Sequence, residues 1–241
     1  MNKENNKIPK RLIQFWHDKS MIPKEYQDVI QNNYSFITDF EVLFVDDKFM
    51  LDFIKRKDPF LYKLYSNINI QAIRADIARM LLLIEFGGIY MDLSMKLHKP
   101  LNSIISRESD VALLRRDDQK RYRKYPESAH FGIMLLAAKP KTEFIQSVLK
   151  YLVNTITEGF YNHHVLFATT KCVNEVFREY KKLKKIKKIN IEYMSFKKFK
   201  EDKFLTHLRI KGLANSWRYS EENGIVNPKY LESLKTELKT V

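Results

Sequence analysis

The feature that most constrains the fold of this sequence is an amphipathic segment that runs into a pair of glycines. Between Ile70 and Ile84 apolar residues recur at steps of three and four, which predicts a helix with an apolar face. Gly87-Gly88 follows and is typical of a helix C-terminus. The next run, Ile89 to Met95, predicts a short strand that ends on polar side chains.

The segments around this unit predict an α/β fold with a parallel sheet. A strand over Arg11–Trp16, a helix from Ile22 to about Asn33 and a strand over Phe40–Asp46 give the β-α-β order of a parallel crossover. We predict these further elements: helical segments over 47–65 interrupted at Pro59, strands over 111–114 and 131–138, and helices over about 142–157 and 165–183. The charged loop from Arg115 to Lys124 is a candidate lid.

The length and composition predict one folded domain. A chain of 241 residues with 44% hydrophobic residues can bury a substantial core, and no repeat or linker divides it. We expect a single domain over 1–241, with a flexible N-terminus over 1–7 and a more helical part over 140–241.

The charge predicts anionic partners. The formal net charge is +14, which favours nucleic acid, phosphorylated substrates or an anionic membrane surface. Much of the excess lies in the lysine-rich run 181–188, which also fits an ordinary solvated helix face. Nucleic-acid binding would rest on this run and on Tyr193, Phe196 and Phe199 alone, since no nucleic-acid-binding motif accompanies them; we do not expect it.

The single cysteine and the absence of long apolar runs bear on location. Cys172 cannot form an intramolecular disulfide, which favours a reducing, cytosolic compartment, and we expect it to be a core thiol. The N-terminal residues are polar, and no window has the ~18 apolar residues of a membrane span. The sequence therefore predicts a soluble or peripheral protein. The six histidines are scattered, which argues against a zinc site.

Three charged residues are the candidates for chemistry. Asp76 and Arg79 share a helix face, and could either hold a hydroxyl-rich ligand or form a structural salt bridge. Asp92 lies beyond the glycine pair among apolar neighbours, where a carboxylate is costly unless it is paired or binds a metal. A divalent cation held by one or two carboxylates and substrate phosphates would account for it.

Three segments in order carry a resemblance to a known family: Ile8–Trp16, Ala75–Arg79 and Gly87–Asp92. Together they resemble the DXD-type glycosyltransferases of the Och1-like and capsular-polysaccharide-synthesis group, with a more distant similarity to clostridial glucosylating toxin catalytic domains. The resemblance implies a GT-A fold with a mainly parallel sheet flanked by helices, a nucleotide-sugar donor (usually UDP-linked) and transfer with retention.

The resemblance also implies roles for individual residues. Trp16 would lie against the nucleobase and Tyr90 would flank the nucleotide. Asp76 and Arg79 would hold the donor sugar, and Asp92 would be the first aspartate of the DXD motif. Asp92, Asp76 and Arg79 are thus the candidate catalytic residues.

The sequence departs from the DXD pattern at Ser94, which stands where the second aspartate is expected. A neutral hydroxyl supplies no second negative charge, so the cation, Mn²⁺ or Mg²⁺, would bind weakly or depend on the diphosphate. The alternative is a catalytically inactive relative that serves as a binding module.

A short segment near the C-terminus, Ala214–Trp217, resembles the Ser-Trp signature that closes over the donor in this group. If so, Trp217 would cover the diphosphate, Ser216 would bind a phosphate or the sugar, and Asn215 would join Asp92 and Ser94 at the metal. A surface tryptophan packing a terminal helix is the other interpretation.

The predicted function is transfer of a sugar to a glycan or lipid-linked glycan in bacterial surface polysaccharide (capsule or lipopolysaccharide) synthesis. The part over 140–241 would then lie on the acceptor side. The predicted location is cytoplasmic, peripheral on the inner face of the plasma membrane, where an anionic surface would attract the cationic chain.

Overall fold

The computed structural model describes residues 6–117, 131–158 and 168–208, together with residue 230. Its strands are β1 (Arg11–Phe15), β2 (Glu41–Val45), β3 (Gly88–Met91), β4 (Met95–Leu97), β5 (Val111–Arg115), β6 (Phe131–Ala138), β7 (Ile191–Ser195) and β8 (Leu205–His207). Its α-helices within these ranges, numbered in order, are α1 (Lys24–Asn33), α2 (Asp47–Lys55), α3 (Pro59–Ser66), α4 (Gln71–Phe86), α5 (Glu143–Thr157), α6 (Ala168–Lys182) and α7 (Phe196–Glu201).

The central sheet is mainly parallel, as predicted. Its strand order is β2-β1-β3-β6-β5-β7. β1 runs parallel to β2 and β3, and β5 runs parallel to β7, while β6 is antiparallel to both of its neighbours. Every strand except β6 therefore points its carboxyl end to the same edge of the sheet. A separate antiparallel sheet pairs β4 with β8.

Both faces of the central sheet are covered. Ile13 and Tyr90 face a core shared with α2 to α6, whereas their neighbours Leu12 and Ile89 face a second core shared with α7, β4 and β8. This alternation is the period of two expected of a buried strand. The predicted fold class, an α/β sheet flanked by helices, is confirmed.

One predicted strand is wrong in its extent. The run from Ile89 to Met95 is not continuous, because β3 ends at Met91 and a turn follows in which the amide of Met95 donates to the carbonyl oxygen of Asp92 over 3.0 Å. The turn carries the chain out of the central sheet, and Met95 begins β4 of the small sheet. Asp92 and Ser94 therefore lie in a turn rather than along a strand.

The glycine pair allows the close approach of two strands. Gly87 ends α4 with φ +59°, and Gly88 opens β3 with φ +121°, a region that L side chains rarely adopt. A Cβ at Gly88 would lie 2.6 Å from the carbonyl oxygen of Arg11 in β1. Only glycine lets β3 pair against β1 directly after the helix.

We expect Gly88→Ala to destabilise the protein by about 2–4 kcal/mol, because it combines backbone strain with a steric overlap against β1. Urea unfolding measures this. Gly132→Ala is the matched control, since Gly132 has an ordinary φ and its nearest neighbour is the flexible side chain of Arg116 at 3.0 Å. Equal losses in the two variants would contradict the explanation.

Candidate active site

Polar and aromatic side chains gather where three adjacent parallel strands end. Trp16 directly follows β1, Asp46 and Asp47 follow β2, and Asp92 follows β3. The carboxyl edge of a parallel sheet is where α/β proteins bind their ligands. The topology thus brings residues from distant parts of the sequence to one crevice.

The centre of this edge is the guanidinium of Arg79. Its Nη2 lies 3.3 Å from Oδ1 of Asp76 and 3.3 Å from Oδ1 of Asp92. The same nitrogen lies 3.4 Å from the hydroxyl of Tyr90, and Nη1 donates to the carbonyl oxygen of Ile133 in β6 over 2.8 Å. One side chain of α4 therefore joins β3, β6 and the turn that carries Asp92.

The local structure explains why these groups meet. Asp76 and Arg79 are three residues apart on α4 and share its sheet-facing side. Tyr90 and Asp92 are two residues apart at the end of β3, so both side chains project toward α4. The amide of Asp92 donates to the carbonyl oxygen of Met134 over 2.9 Å, which fixes the start of the turn against β6.

The charges in this network interact strongly because the groups that carry them are buried. Arg79 is 5% exposed and Tyr90 is 2% exposed. Burial by itself lowers the pKa of Arg79, but Tyr90, Asp76 and Asp92 raise it above its ordinary value, so the guanidinium stays charged. Burial likewise raises the pKa of Tyr90, which keeps its hydroxyl neutral.

The predicted site residues divide into three groups. Asp76, Arg79 and Asp92 are brought into contact. The ion pair between Asp76 and Arg79 fits the interpretation as a structural salt bridge. Its position at the carboxyl edge of the sheet also fits the interpretation as a site for a hydroxyl-rich ligand. Tyr90 packs its ring 4.4 Å from the carbon of the Arg79 guanidinium, so we expect it to act through Arg79. Asn215, Ser216 and Trp217 lie outside the described residues, as does most of the candidate lid.

Trp16 lies half-buried beside a tyrosine that the sequence analysis did not single out. The rings of Trp16 and Tyr26 meet edge to face with centroids 5.6 Å apart. Tyr26 is half-buried, and burial followed by the charge of Asp92 raises its pKa. Its hydroxyl has no hydrogen-bond partner among the described residues, so Tyr26 offers a free polar group between Trp16 and Asp92.

A second residue missed from the sequence fixes α1 in this position. Asn33, 2% exposed, donates from Nδ2 to the carbonyl oxygen of Met95 over 2.8 Å, and its Oδ1 accepts from the amide of Leu97 over 2.8 Å. These bonds tie the end of α1 to β4. The mostly polar sequence of α1 carries no signal for this role, because only the tertiary packing buries Asn33.

A further charged cluster lies at the end of β2. Asp47 accepts from the hydroxyl of Tyr65 over 2.6 Å and from Nη1 of Arg74 over 3.0 Å. His17 lies beside it, and its burial lowers its pKa against the opposing effect of Asp47. The cluster packs the first turn of α4 against the sheet edge and leaves His17 neutral near pH 7.

The carboxylates of this site are suited to hold a cation that a bound ligand also coordinates. Asp92 is more accessible than Asp76, with side-chain exposures of 31% and 11%. Two carboxylates surround one guanidinium, so the network carries excess negative charge that a cation would offset. Within the described ranges, no three His, Cys, Asp or Glu residues form a metal-binding group. The described residues would therefore need oxygen atoms of a bound diphosphate to complete the coordination of a cation.

Ser94 occupies the far end of the turn. It is 9% exposed, and its carbonyl oxygen accepts from the amide of Leu208 over 2.8 Å. Leu208 also lines a cleft of about 400 Å³ that opens between α1 and the small sheet. The cleft is lined by Glu25, Asp28, Val29, Lys96, Thr206, His207 and Leu208. The carboxylates, hydroxyl and ammonium among these residues can hydrogen-bond a hydroxyl-rich ligand, and Val29 and Leu208 add apolar surface.

The structure also bears on the aromatic residues that were considered for nucleic-acid binding. Phe196 and Phe199, which together with Tyr193 were the aromatics available for nucleic-acid binding, are 2% and 6% exposed and belong to the core. They cannot stack on bases.

Across the described ranges, the helices are too short or too polar to cross a membrane.

The fold and the site define the class: an α/β protein whose sheet edge combines an Asp-Arg pair, a DXD-type turn and an aromatic wall. The family described as "Glycosyltransferase sugar-binding region containing DXD motif" matches residues 23–110, which include Tyr26, Asp76, Arg79 and Asp92. The predicted resemblance to DXD-type glycosyltransferases is confirmed by this match.

Curated relatives and a solved structure agree with the match. Inositol phosphoceramide mannosyltransferases 1 and 3 of Schizosaccharomyces pombe are 26% identical over 117 residues and 28% identical over 98 residues. These stretches cover 45% and 41% of this chain, but only 34% and 27% of the relatives. The structure of PaToxG glycosyltransferase matches with a TM-score of 0.55 and 17% identity over 72% of this chain and 70% of that one, which confirms the GT-A type of fold.

We expect Tyr26→Phe to weaken binding of a nucleotide with Mn²⁺ by about three- to tenfold, the loss of one hydrogen bond, while the ring packing on Trp16 persists. Calorimetry with UDP and with GDP measures this. Tyr34→Phe removes a hydroxyl from an exposed ring and is the control. Equal affinities for Tyr26→Phe and the wild type would remove Tyr26 from the site.

Proposed function

We propose that this chain is a glycosyltransferase that moves a sugar from a nucleotide-sugar donor, UDP-linked, to a glycan or lipid-linked glycan with retention at the anomeric carbon. The observation that supports this most is the buried Arg79 bridging Asp76 and Asp92 at the carboxyl end of β3. The match of residues 23–110 to a sugar-binding region supports the same activity.

In this proposal Asp76 and Arg79 hold the donor sugar. The carboxylate accepts hydrogen bonds from sugar hydroxyls, and the guanidinium donates to sugar or phosphate oxygen. Nε of Arg79 is buried without a hydrogen-bond partner among the described residues. An oxygen atom of a bound ligand would relieve a desolvation cost of about 1–3 kcal/mol there. Trp16 and Tyr26 form the wall against which the nucleoside lies.

Asp92, with Ser94 and Asn215, would hold the cation, Mn²⁺ or Mg²⁺. When bound, such a cation neutralises charge on the departing nucleoside diphosphate. Arg79 supports this by holding Asp92 in place and by remaining positively charged next to the diphosphate. Ser216 and Trp217 would close over the donor and exclude water, which limits donor hydrolysis.

We propose bacterial surface polysaccharide synthesis as the setting and a cytoplasmic position, peripheral on the inner face of the plasma membrane. The formal charge of +14 supports contact with anionic lipid. The chain would act as one domain over 1–241, with the acceptor on the side of 140–241; most of the N-terminal segment over 1–7 lies outside the described residues. The cleft between α1 and the small sheet gives room for a sugar of the acceptor.

Ser94 favours a second candidate, a relative that binds a nucleotide sugar without turnover. The turn has one carboxylate where two are usual, and Arg79 already engages it. Calorimetry and a turnover assay on the same sample separate the candidates, because only the binding module would bind a donor and release no nucleotide.

The test is a panel of UDP- and GDP-sugars with Mn²⁺ or Mg²⁺, read by nucleotide release. We expect one donor to be hydrolysed or transferred, and Asp92→Asn to lower kcat/KM by about 100-fold or more, because it removes the carboxylate that holds the cation. The product anomer, read by NMR, tests retention.

Asp39→Asn is the control for this experiment, since Asp39 forms an exposed ion pair with Lys10 and lies outside the site. Its activity should equal that of the wild type. If no donor binds or reacts and Asp92→Asn changes neither binding nor turnover, the proposed function is wrong.

A further inference from the structure

A dense group of lysines forms a fixed surface at the end of α6. Its six lysines, here called the lysine surface, are Lys181, Lys182, Lys184, Lys185, Lys187 and Lys188. All six are exposed, and among the described residues one ion pair engages them, from Lys185 to Glu143 over 3.3 Å. Six positive charges thus face solvent with a single acidic partner in the described part of the chain.

The backbone holds this surface in a defined shape. α6 ends at Lys182, Lys184 adopts a left-handed conformation with φ +58°, and a 3-10 turn follows over Lys185–Lys188. Ile186 within that turn packs against the main core. The change of direction groups lysines from both segments around an anchored turn, unlike the charges of a regular solvated helix face.

The lysine surface lies far from the donor site. It precedes β7 at the amino edge of the sheet, where the amide of Asp110, just before β5, donates to the carbonyl oxygen of Asn190 over 2.7 Å. Asp92 lies at the carboxyl edge, one strand length away and three strands across. Strand rise and spacing make the separation about 20 Å. These lysines therefore do not hold the donor diphosphate.

An exposed leucine in the middle of the group points to the partner. Leu183 is 53% exposed and is flanked on both sides by exposed lysines. A lipid headgroup region accepts both kinds of group, since its phosphates attract lysine and its acyl boundary accepts an aliphatic side chain. Single-stranded nucleic acid instead stacks its bases on aromatic rings, and the lysine surface itself carries an aliphatic residue; the exposed Tyr193 lies beyond it on β7, with one face stacked on Phe131.

We propose that the lysine surface, with Leu183 at its centre, docks the chain on an anionic phospholipid surface. Docking there leaves the donor site on the opposite edge of the sheet, up to about 20 Å from the headgroups when the strands stand along the membrane normal. On the proposed transferase function, the acceptor is then the outer end of a glycan chain that extends away from the bilayer. The sugar attached directly to the lipid lies out of reach of the site.

The test is co-sedimentation with vesicles of phosphatidylcholine alone or mixed with phosphatidylserine, at low and high salt. The surface variant Lys184→Gln/Lys187→Gln/Lys188→Gln removes three charges and spares the Lys185 ion pair. We expect it to bind mixed vesicles on the order of 100-fold more weakly than the wild type. Leu183→Ser should reduce the binding that survives high salt, because that part is apolar.

The matched control is Lys48→Gln/Lys150→Gln/Lys198→Gln, which has the same net charge but changes exposed lysines on three other helices. It should bind the mixed vesicles nearly as well as the wild type. Equal losses in the two triple variants, equal binding to neutral vesicles, or tighter binding to a single-stranded oligonucleotide that only the surface variant loses would overturn the proposal.

The orientation has its own readout. Donor hydrolysis by the surface variant should equal that of the wild type, so failure of docking is distinguishable from failure of the proposed activity. With lipid-linked acceptors on mixed vesicles, transfer should be faster to a long glycan than to a single lipid-attached sugar. Preference for the single sugar would contradict the orientation.

Discussion

The site depends on one buried interaction, the contact of the Arg79 guanidinium with Asp76 and Asp92. A charged group that is 5% exposed is stable only when its neighbours compensate for the lost water, and these carboxylates raise its pKa against the effect of burial. Removing either carboxylate would leave the guanidinium poorly compensated. In the proposed function, local stability and ligand binding therefore rest on the same atoms.

The surrounding fold is arranged so that this contact can form. Gly88 brings β3 beside β1 directly after α4, which places Asp92 immediately after the carboxyl end of β3. The antiparallel strand β6 then supplies two carbonyl oxygens, from Ile133 to Arg79 and from Met134 to the amide of Asp92. A short helix-to-strand connection and one reversed strand are enough to bring the acidic and basic groups to the ligand edge.

Much of this could be predicted from the sequence, and the remainder could not for physical reasons. The period of α4 and the glycine stop are local signals, and the order of the motifs predicted the resemblance to DXD-type glycosyltransferases. The break between β3 and β4 at Asp92 depends on pairing between β4 and β8. These two strands have three residues each and lie far apart in the chain. Tyr26 and Asn33 belong to a mostly polar helix, where only tertiary packing distinguishes a ligand-facing or clamping residue from a solvated one.

The most direct test of the central claim is the turnover of Arg79→Lys, which keeps the charge but removes the planar fork that reaches two carboxylates and a carbonyl at once. The account predicts that kcat/KM for the nucleotide-sugar donor falls by about tenfold or more, while thermal unfolding remains cooperative. Turnover equal to that of the wild type would contradict it, because a point charge alone would then be sufficient at the centre of the site.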